Sequence, residues 1–173
     1  MEAIMRYLIV VDVQKDFVDG ALGTKEALAI IPRVKEKVKE YRERGDRIIF
    51  TRDTHEADYL STNEGKHLPV EHCIRGTDGW ELYDGIYDNE GVIIDKPTFG
   101  YLDWSKHIEA SEELSIELIG LCTDICVASN ALIIKAAFPD ADVSVDSSAC
   151  AGVTPETHSA ALSTMKMCQI EVV

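Results

Sequence analysis

The stretch YLIVVD (7–12) holds five apolar residues in a row and then a carboxylate. An alternating strand would present one face to water. A continuous apolar run of this length reads instead as a strand buried on both faces, as in a parallel sheet. RIIFTRD (47–53), GVIIDK (91–96), SIELIGL (115–121) and DVSVDS (142–147) have strand length and similar character, and CQIEVV (168–173) is a weaker sixth. Helical patterns lie between them. Pro32 to Arg44 carries Val34, Val38 and Tyr41 at helical spacing and stops at Gly45-Asp46. Thr123 to Phe138 predicts a second helix, ended before Pro139. Thr154-Pro155-Glu156 opens a third that runs to about Met167, and Ser105 to Glu113 reads as a short fourth. Strand and helix alternating in this way predict an α/β fold: a three-layer, doubly wound, mostly parallel six-stranded sheet in one domain over residues 1–173.

Composition bounds the function. The chain has 173 residues, 46% hydrophobic and 28% charged, with a net charge of −14. Such an acidic surface repels phosphates, which argues against nucleic acid and anionic membranes as partners and leaves small molecules or proteins. No apolar run approaches the roughly 20 residues that span a bilayer. The opening MEAIMRYLIVVDVQ lacks the features of a secretion signal. Five cysteines without CxxC or CxxH spacing then read as reduced thiols, and a cytoplasmic location is expected.

In open α/β sheets ligands bind beyond the carboxyl ends of the strands, and here each strong strand ends in a reactive side chain. The first ends at Asp12, the second at Asp53 with His55 just beyond, the third at Lys96, and the fourth leads to Cys126. Thr123 can cap the following helix, which puts Cys126 in the first turn, where free N–H groups and the positive helix end favour a thiolate. Asp12 is the candidate proton acceptor and Lys96 the candidate stabiliser of charge. Cys122 lies at the strand end, where burial is expected. A purely structural alternative stays open from spacing alone: Asp12 caps a turn, Lys96 pairs with it and Cys126 packs. Asp53 and His55 could share a metal ion with a histidine from the irregular segment 53–88, His67 or His72, and Glu64 is a further oxygen donor there. Such a set suits zinc, or iron or manganese if water completes the site. Phe17, Trp80, Phe99, Tyr101 and Trp104 could wall a flat substrate or simply pack, and His158 reads as structural.

Five stretches carry a resemblance. DVQKDF (12–17), TRDTH (51–55), PVEHCIRGTDG (69–79), DKPTF (95–99) and GLCTDICV (120–127) occur in this order. Over about residues 6–167 the chain resembles the isochorismatase-like cysteine hydrolases, and within them the nicotinamidases. The resemblance implies amide hydrolysis (nicotinamide to nicotinate and ammonia) through a cysteine acyl-thioester, with a place in pyridine-nucleotide salvage. It implies a triad of Asp12, Lys96 and Cys126, and an oxyanion hole from the backbone N–H groups of Cys122 and Cys126. It also implies a divalent metal, zinc foremost, on Asp53, His55 and His72 with Glu64 as a fourth contact, and a cis peptide at Leu121–Cys122. His67 matches no ligand position. KPTFGYLDW is shorter than the usual segment after the lysine, so the aromatic wall falls to Phe17 with Phe99 or Tyr101. Members commonly form homo-oligomers. A related amidase for a carbamoyl or ureido compound, and a non-catalytic metal-binding protein on the same fold, are the competing readings.

Overall fold

The computed structural model describes residues 4–173; the first three residues of the expected domain and of the opening stretch lie outside the described part. The elements in chain order are β1 (Met5–Val11), α1 (Lys15–Val18), α2 (Lys25–Ala29), α3 (Ile31–Arg44), β2 (Arg47–Asp53), α4 (Asn63–His67), β3 (Val92–Lys96), β4 (Leu114–Leu121), α5 (Ala128–Ala137), β5 (Asp142–Ala151), α6 (Pro155–Met167) and β6 (Glu171–Val172). The six strands form one sheet in the order β3-β2-β1-β4-β5-β6, and every pairing is parallel. The strand order reverses between β1 and β4, so the ends of these two strands form the switch point where a crevice opens.

Both faces of the sheet are apolar, as the unbroken hydrophobic runs require. Leu8, Val10, Ile48, Phe50 and Ile119 pack under α2 and α3 through Ala27, Val34, Val38 and Tyr41. Ile9, Val11, Ile116, Leu118 and Val145 pack on the other face under α5 and α6 through Ala131, Ile134 and Met165. Helix ends follow local chemistry. Gly45 closes α3 at φ 75°, a left-handed conformation that glycine adopts without steric cost. Thr154 and Thr157 form a reciprocal cap at the start of α6.

Several expectations are corrected. The stretch Ser105–Glu113 is not a helix; a single 3-10 turn spans Trp104–Lys106, because only Trp104 and Ile108 offer the core a buried apolar side chain. The helix expected from Thr123 is divided: Thr123–Val127 is a π-helical turn, and the regular helix begins at Ala128. Strand β5 runs four residues beyond Ser147, to Ala151, through a register shift against β4. The sixth strand shrinks to two residues, Glu171–Val172. Helices α1, α2 and α4 were not legible: each has five residues or fewer, too short to display a period.

One charged cluster lies in the packing between α3 and the sheet. Lys37 Nζ is 2.5 Å from Glu117 Oε1 and 3.2 Å from Asp146 Oδ2, which Arg33 also reaches at 3.2 Å. Asp146 Oδ1 accepts from the Ser148 N–H at 2.9 Å and hydroxyl at 2.6 Å. Burial alone would raise the Asp146 pKa, but the Ser148 and Lys37 contacts outweigh it and hold it below the ordinary carboxylate value. A carboxylate with a depressed folded-state pKa stabilises the fold above its unfolded pKa of about 3.9, and this is lost as pH falls through the folded value. Replacing Asp146 with Asn should therefore lower the urea midpoint at neutral pH and flatten its acid dependence below about pH 4. Urea titrations across pH check both.

Candidate active site

The register of the sheet assembles the site. Lys96 on β3 pairs with Asp53 on β2, and Val11 on β1 lies beside Thr51 on one side and Gly120 on the other. Gly120 sits at φ 120°, and a Cβ there would lie 2.2 Å from the Val11 carbonyl oxygen. Only glycine lets β4 approach β1 this closely next to Asp12. Asp12 itself is in the left-handed region at φ 49°. Its N–H donates to the Thr51 carbonyl, and the Thr51 hydroxyl donates to its Oδ1 at 2.6 Å.

Asp12, Lys96 and Cys126 meet in one buried cluster. Lys96 Nζ is 2.6 Å from Asp12 Oδ2, 3.7 Å from Asp53 Oδ1 and 3.5 Å from Cys126 Sγ, and it donates to the Thr98 carbonyl at 3.0 Å. Asp12 and Lys96 are both fully buried, and Cys126 is 4% exposed. Burial pushes the Asp12 carboxyl up, only partly countered by Lys96. Burial would lower Lys96, but Asp12, Cys126 and Asp53 hold its ammonium charged and its pKa up. The Cys126 thiol is pushed well above its ordinary value by burial and by the nearby Asp12 charge, with Lys96 opposing. Desolvation of the thiol therefore opposes the helix start, which favours the thiolate. The burial order is reversed: Cys122 is partly exposed and lines the cavity, while Cys126 is the buried one. The Leu121–Cys122 peptide bond is cis, as the resemblance implies.

The second half of the site is acidic and imidazole-rich. One ligand atom from each of Asp53, His55, Glu64 and His72 lies within 4.8 Å of the others. His55 Nε2 is 2.9 Å from Asp53 Oδ2, and Glu64 Oε1 is 3.5 Å from His55 Nε2 and 3.9 Å from His72 Nε2. His72 Nδ1 lies 2.8 Å from the Val70 carbonyl, which directs Nε2 into the cluster, the outer support usual for a ligating imidazole. Asp53 Oδ1 is buried with no hydrogen-bond partner. Burial alone would raise Asp53, yet the imidazoles and Lys96 hold it below the ordinary carboxylate range; burial pushes Glu64 up. Two imidazoles, two carboxylates and an orphaned buried oxygen fit a divalent cation. His67 is outside the cluster: it is exposed, with Nδ1 at the Asn63 carbonyl.

Both halves open on a cavity of about 290 Å³. Phe17, Leu22, Leu68, Phe99, Ile125 and Val153 supply apolar wall, with Asp53, Glu64, His72, Cys122 and Cys126 among its other lining. The expected wall residues Phe17 and Phe99 are there, and the Phe17 ring lies 5.5 Å from that of His72. Tyr101 is not; it packs edge-on to Trp104 at 5.3 Å, with its hydroxyl 3.1 Å from His107 Nε2. Its N–H points to Asn130, which draws it into the core. Trp104 is core, and Trp80 lies under Arg52 with its indole N–H on Thr54. His158 bonds the Thr123 hydroxyl at 2.7 Å.

Three supporting residues were not singled out from the sequence. Gln14 is fully buried; its amide donates to the Asp53 and Trp80 carbonyls and accepts from the Asp53 N–H. Asp16 accepts from the N–H of Cys73, next to His72, at 2.8 Å. Thr51 fixes Asp12. The signal for the first two was present in DVQKDF, where Gln14 and Asp16 follow Asp12 at two-residue steps after a buried strand.

A doubly wound parallel sheet brings a buried acid, amine and thiol together beside its switch point. The isochorismatase domain model matches residues 6–173, and the chain belongs to that family of hydrolases. It is 31% identical to a pyrazinamidase of Pyrococcus horikoshii solved in complex with zinc, with a TM-score of 0.83 and coverage of 97% of this chain and 98% of that one. It is 28% identical to the nicotinamidase/pyrazinamidase of Mycobacterium tuberculosis over 98% of both chains. It is also 27% identical to a probable inactive nicotinamidase of Arabidopsis thaliana, over 92% of this chain and 87% of the relative. Among the described residues, no helix is long and apolar enough to cross a membrane.

The geometry separates the two loop histidines. His72→Ala should reduce bound divalent metal, read by elemental analysis after exhaustive dialysis, while His67→Ala should retain it at the wild-type ratio.

Proposed function

We propose that this protein hydrolyses nicotinamide to nicotinate and ammonia through an acyl-thioester on Cys126. The carrying observation is the buried contact of Lys96 with both Asp12 and Cys126 at one end of a cavity whose other end is the Asp53, His55, Glu64 and His72 cluster. The nicotinamidase and pyrazinamidase names of its relatives support the same reading. Asp53, His55 and His72 would hold a divalent metal, zinc foremost, with Glu64 as the fourth contact. Bound there, the ion would supply a Lewis-acid centre able to orient a heteroaromatic substrate.

In this mechanism Phe17 and Phe99 hold the ring while the carboxamide faces Cys126. The thiol gives its proton to Asp12 as sulfur attacks the carboxamide carbon. The Lys96 ammonium stabilises the charge on sulfur, and the backbone N–H groups of Cys122 and Cys126 hold the oxyanion. Asp12 passes its proton to the leaving nitrogen, the C–N bond breaks, and ammonia departs. Asp12, again a carboxylate, takes a proton from the water that attacks the thioester. That attack releases nicotinic acid, which ionises to nicotinate in solvent, and the thiolate, which recovers the proton from Asp12.

The apolar wall of the cavity supports a flat, neutral ring over a more polar carbamoyl or ureido amide. In the non-catalytic reading, Cys126 would be inert. Wild-type protein should release ammonia from nicotinamide. Cys126→Ala should lose at least about a thousandfold in kcat, while Cys122→Ala, whose role here is through its backbone, should keep most activity. An enzyme-coupled ammonia assay reads all three. Activity lost with Cys122→Ala and kept with Cys126→Ala would reverse the assignment.

A further inference from the structure

Asn130 lies on α5, one turn beyond the nucleophile, and is fully buried. Its side chain uses its whole hydrogen-bonding capacity of two donors and two lone pairs. Nδ2 donates to the Cys126 carbonyl at 2.8 Å and to the Phe99 carbonyl at 3.1 Å. Oδ1 accepts from the Tyr101 N–H at 2.8 Å and from the Trp104 indole N–H at 3.3 Å. One amide thus ties the turn that carries the nucleophile to the segment that follows Lys96 and carries the aromatic wall.

That segment has few other anchors. Lys96 holds the Thr98 carbonyl, and the Thr98 hydroxyl donates to the Gly100 carbonyl at 2.7 Å. Gly100 lies so close to α5 that a Cβ there would meet the Ile133 side chain at 2.4 Å. Phe99, between these points, is 42% exposed, so its own packing does not fix it. Its place at the cavity is set by the backbone on either side, and that backbone is held by Asn130.

We infer that Asn130 is a positioning residue: it sets the Phe99 wall of the substrate cavity and the Cys126 turn as one unit. The inference rests on reading this cavity as the amide site. It predicts that the two tasks can be separated. A threonine at 130 can still donate its hydroxyl to the carbonyl four residues earlier, that of Cys126. It is too short to bridge to the Phe99 carbonyl and the Tyr101 N–H as well. Asn130→Thr therefore releases the wall and keeps the nucleophile turn, whereas Asn130→Ala releases both.

The test compares wild type, Asn130→Thr and Asn130→Ala, each corrected for folded fraction. With nicotinamide, Asn130→Thr should raise KM about three- to tenfold, the equivalent of one lost hydrogen bond, at nearly unchanged kcat. Asn130→Ala should lower kcat as well. Two readouts need no turnover: amide hydrogen exchange in residues 97–104 should quicken in both variants, and iodoacetamide alkylation of Cys126 should change only in Asn130→Ala. An unchanged KM in Asn130→Thr, or losses that merely track the unfolded fraction, would overturn the inference. Should wild type release no ammonia from nicotinamide, the substrate reading fails instead. Asn130 is then judged on exchange and alkylation: the stated pattern sustains its role, and wild-type behaviour in both variants refutes it.

Discussion

A lysine ammonium and an aspartate carboxylate 2.6 Å apart, neither exposed to solvent, impose the main constraint on this molecule. Charges taken out of water cost several kcal/mol each unless their remaining valences are met. Here they are met by the strands themselves. The Thr51 hydroxyl serves Asp12, the Thr98 carbonyl serves Lys96, and Asp53 adds a second negative charge beside the ammonium. These contacts draw on β1, β2 and β3 at once, so the pair forms only when the parallel register is correct. The thiol then completes it from across the switch point.

The same burial sets the chemistry. A thiol at a helix start is expected to ionise easily, yet desolvation and the neighbouring carboxylate push the Cys126 thiol the other way. In the proposed mechanism the acid–base burden falls on Asp12, whose own pKa is raised by burial. Lys96 is placed to compensate whichever partner carries negative charge, so a proton can pass between Cys126 and Asp12 without exposing an uncompensated charge. The metal-type cluster shares Asp53 with this network through Lys96, so the two halves of the site are electrostatically joined.

Much of this was legible in the sequence for a physical reason: strands buried on both faces carry continuous apolar runs, and polarity returns toward their carboxyl ends. YLIVVD, RIIFTRD and GVIIDK thus pointed to a parallel sheet and placed Asp12, Asp53 and Lys96 at one edge of it. What stayed hidden depended on contacts distant in the chain. Helices α1, α2 and α4 are too short to show a period. Tyr101 could not be separated from Phe99 as a wall residue, because its burial follows from Asn130, remote in sequence. The reversed exposure of Cys122 and Cys126 follows from the π-helical turn, which no residue pattern signals. The aliphatic walls, Leu22, Leu68, Ile125 and Val153, come from four separate segments and look like any other apolar residues until the fold assembles them.

In the proposed mechanism the buried thiol of Cys126, relieved of its proton by Asp12, becomes covalently acylated. Rapid quenching of the metal-loaded enzyme with excess nicotinamide, followed by peptide mass spectrometry, tests it most directly. A nicotinoyl adduct is expected on the Cys126-containing peptide, located on Cys126 by fragmentation and absent from Asp12→Asn. Ammonia release with no acylated cysteine at any quench time, or an adduct located on Cys122, would contradict it.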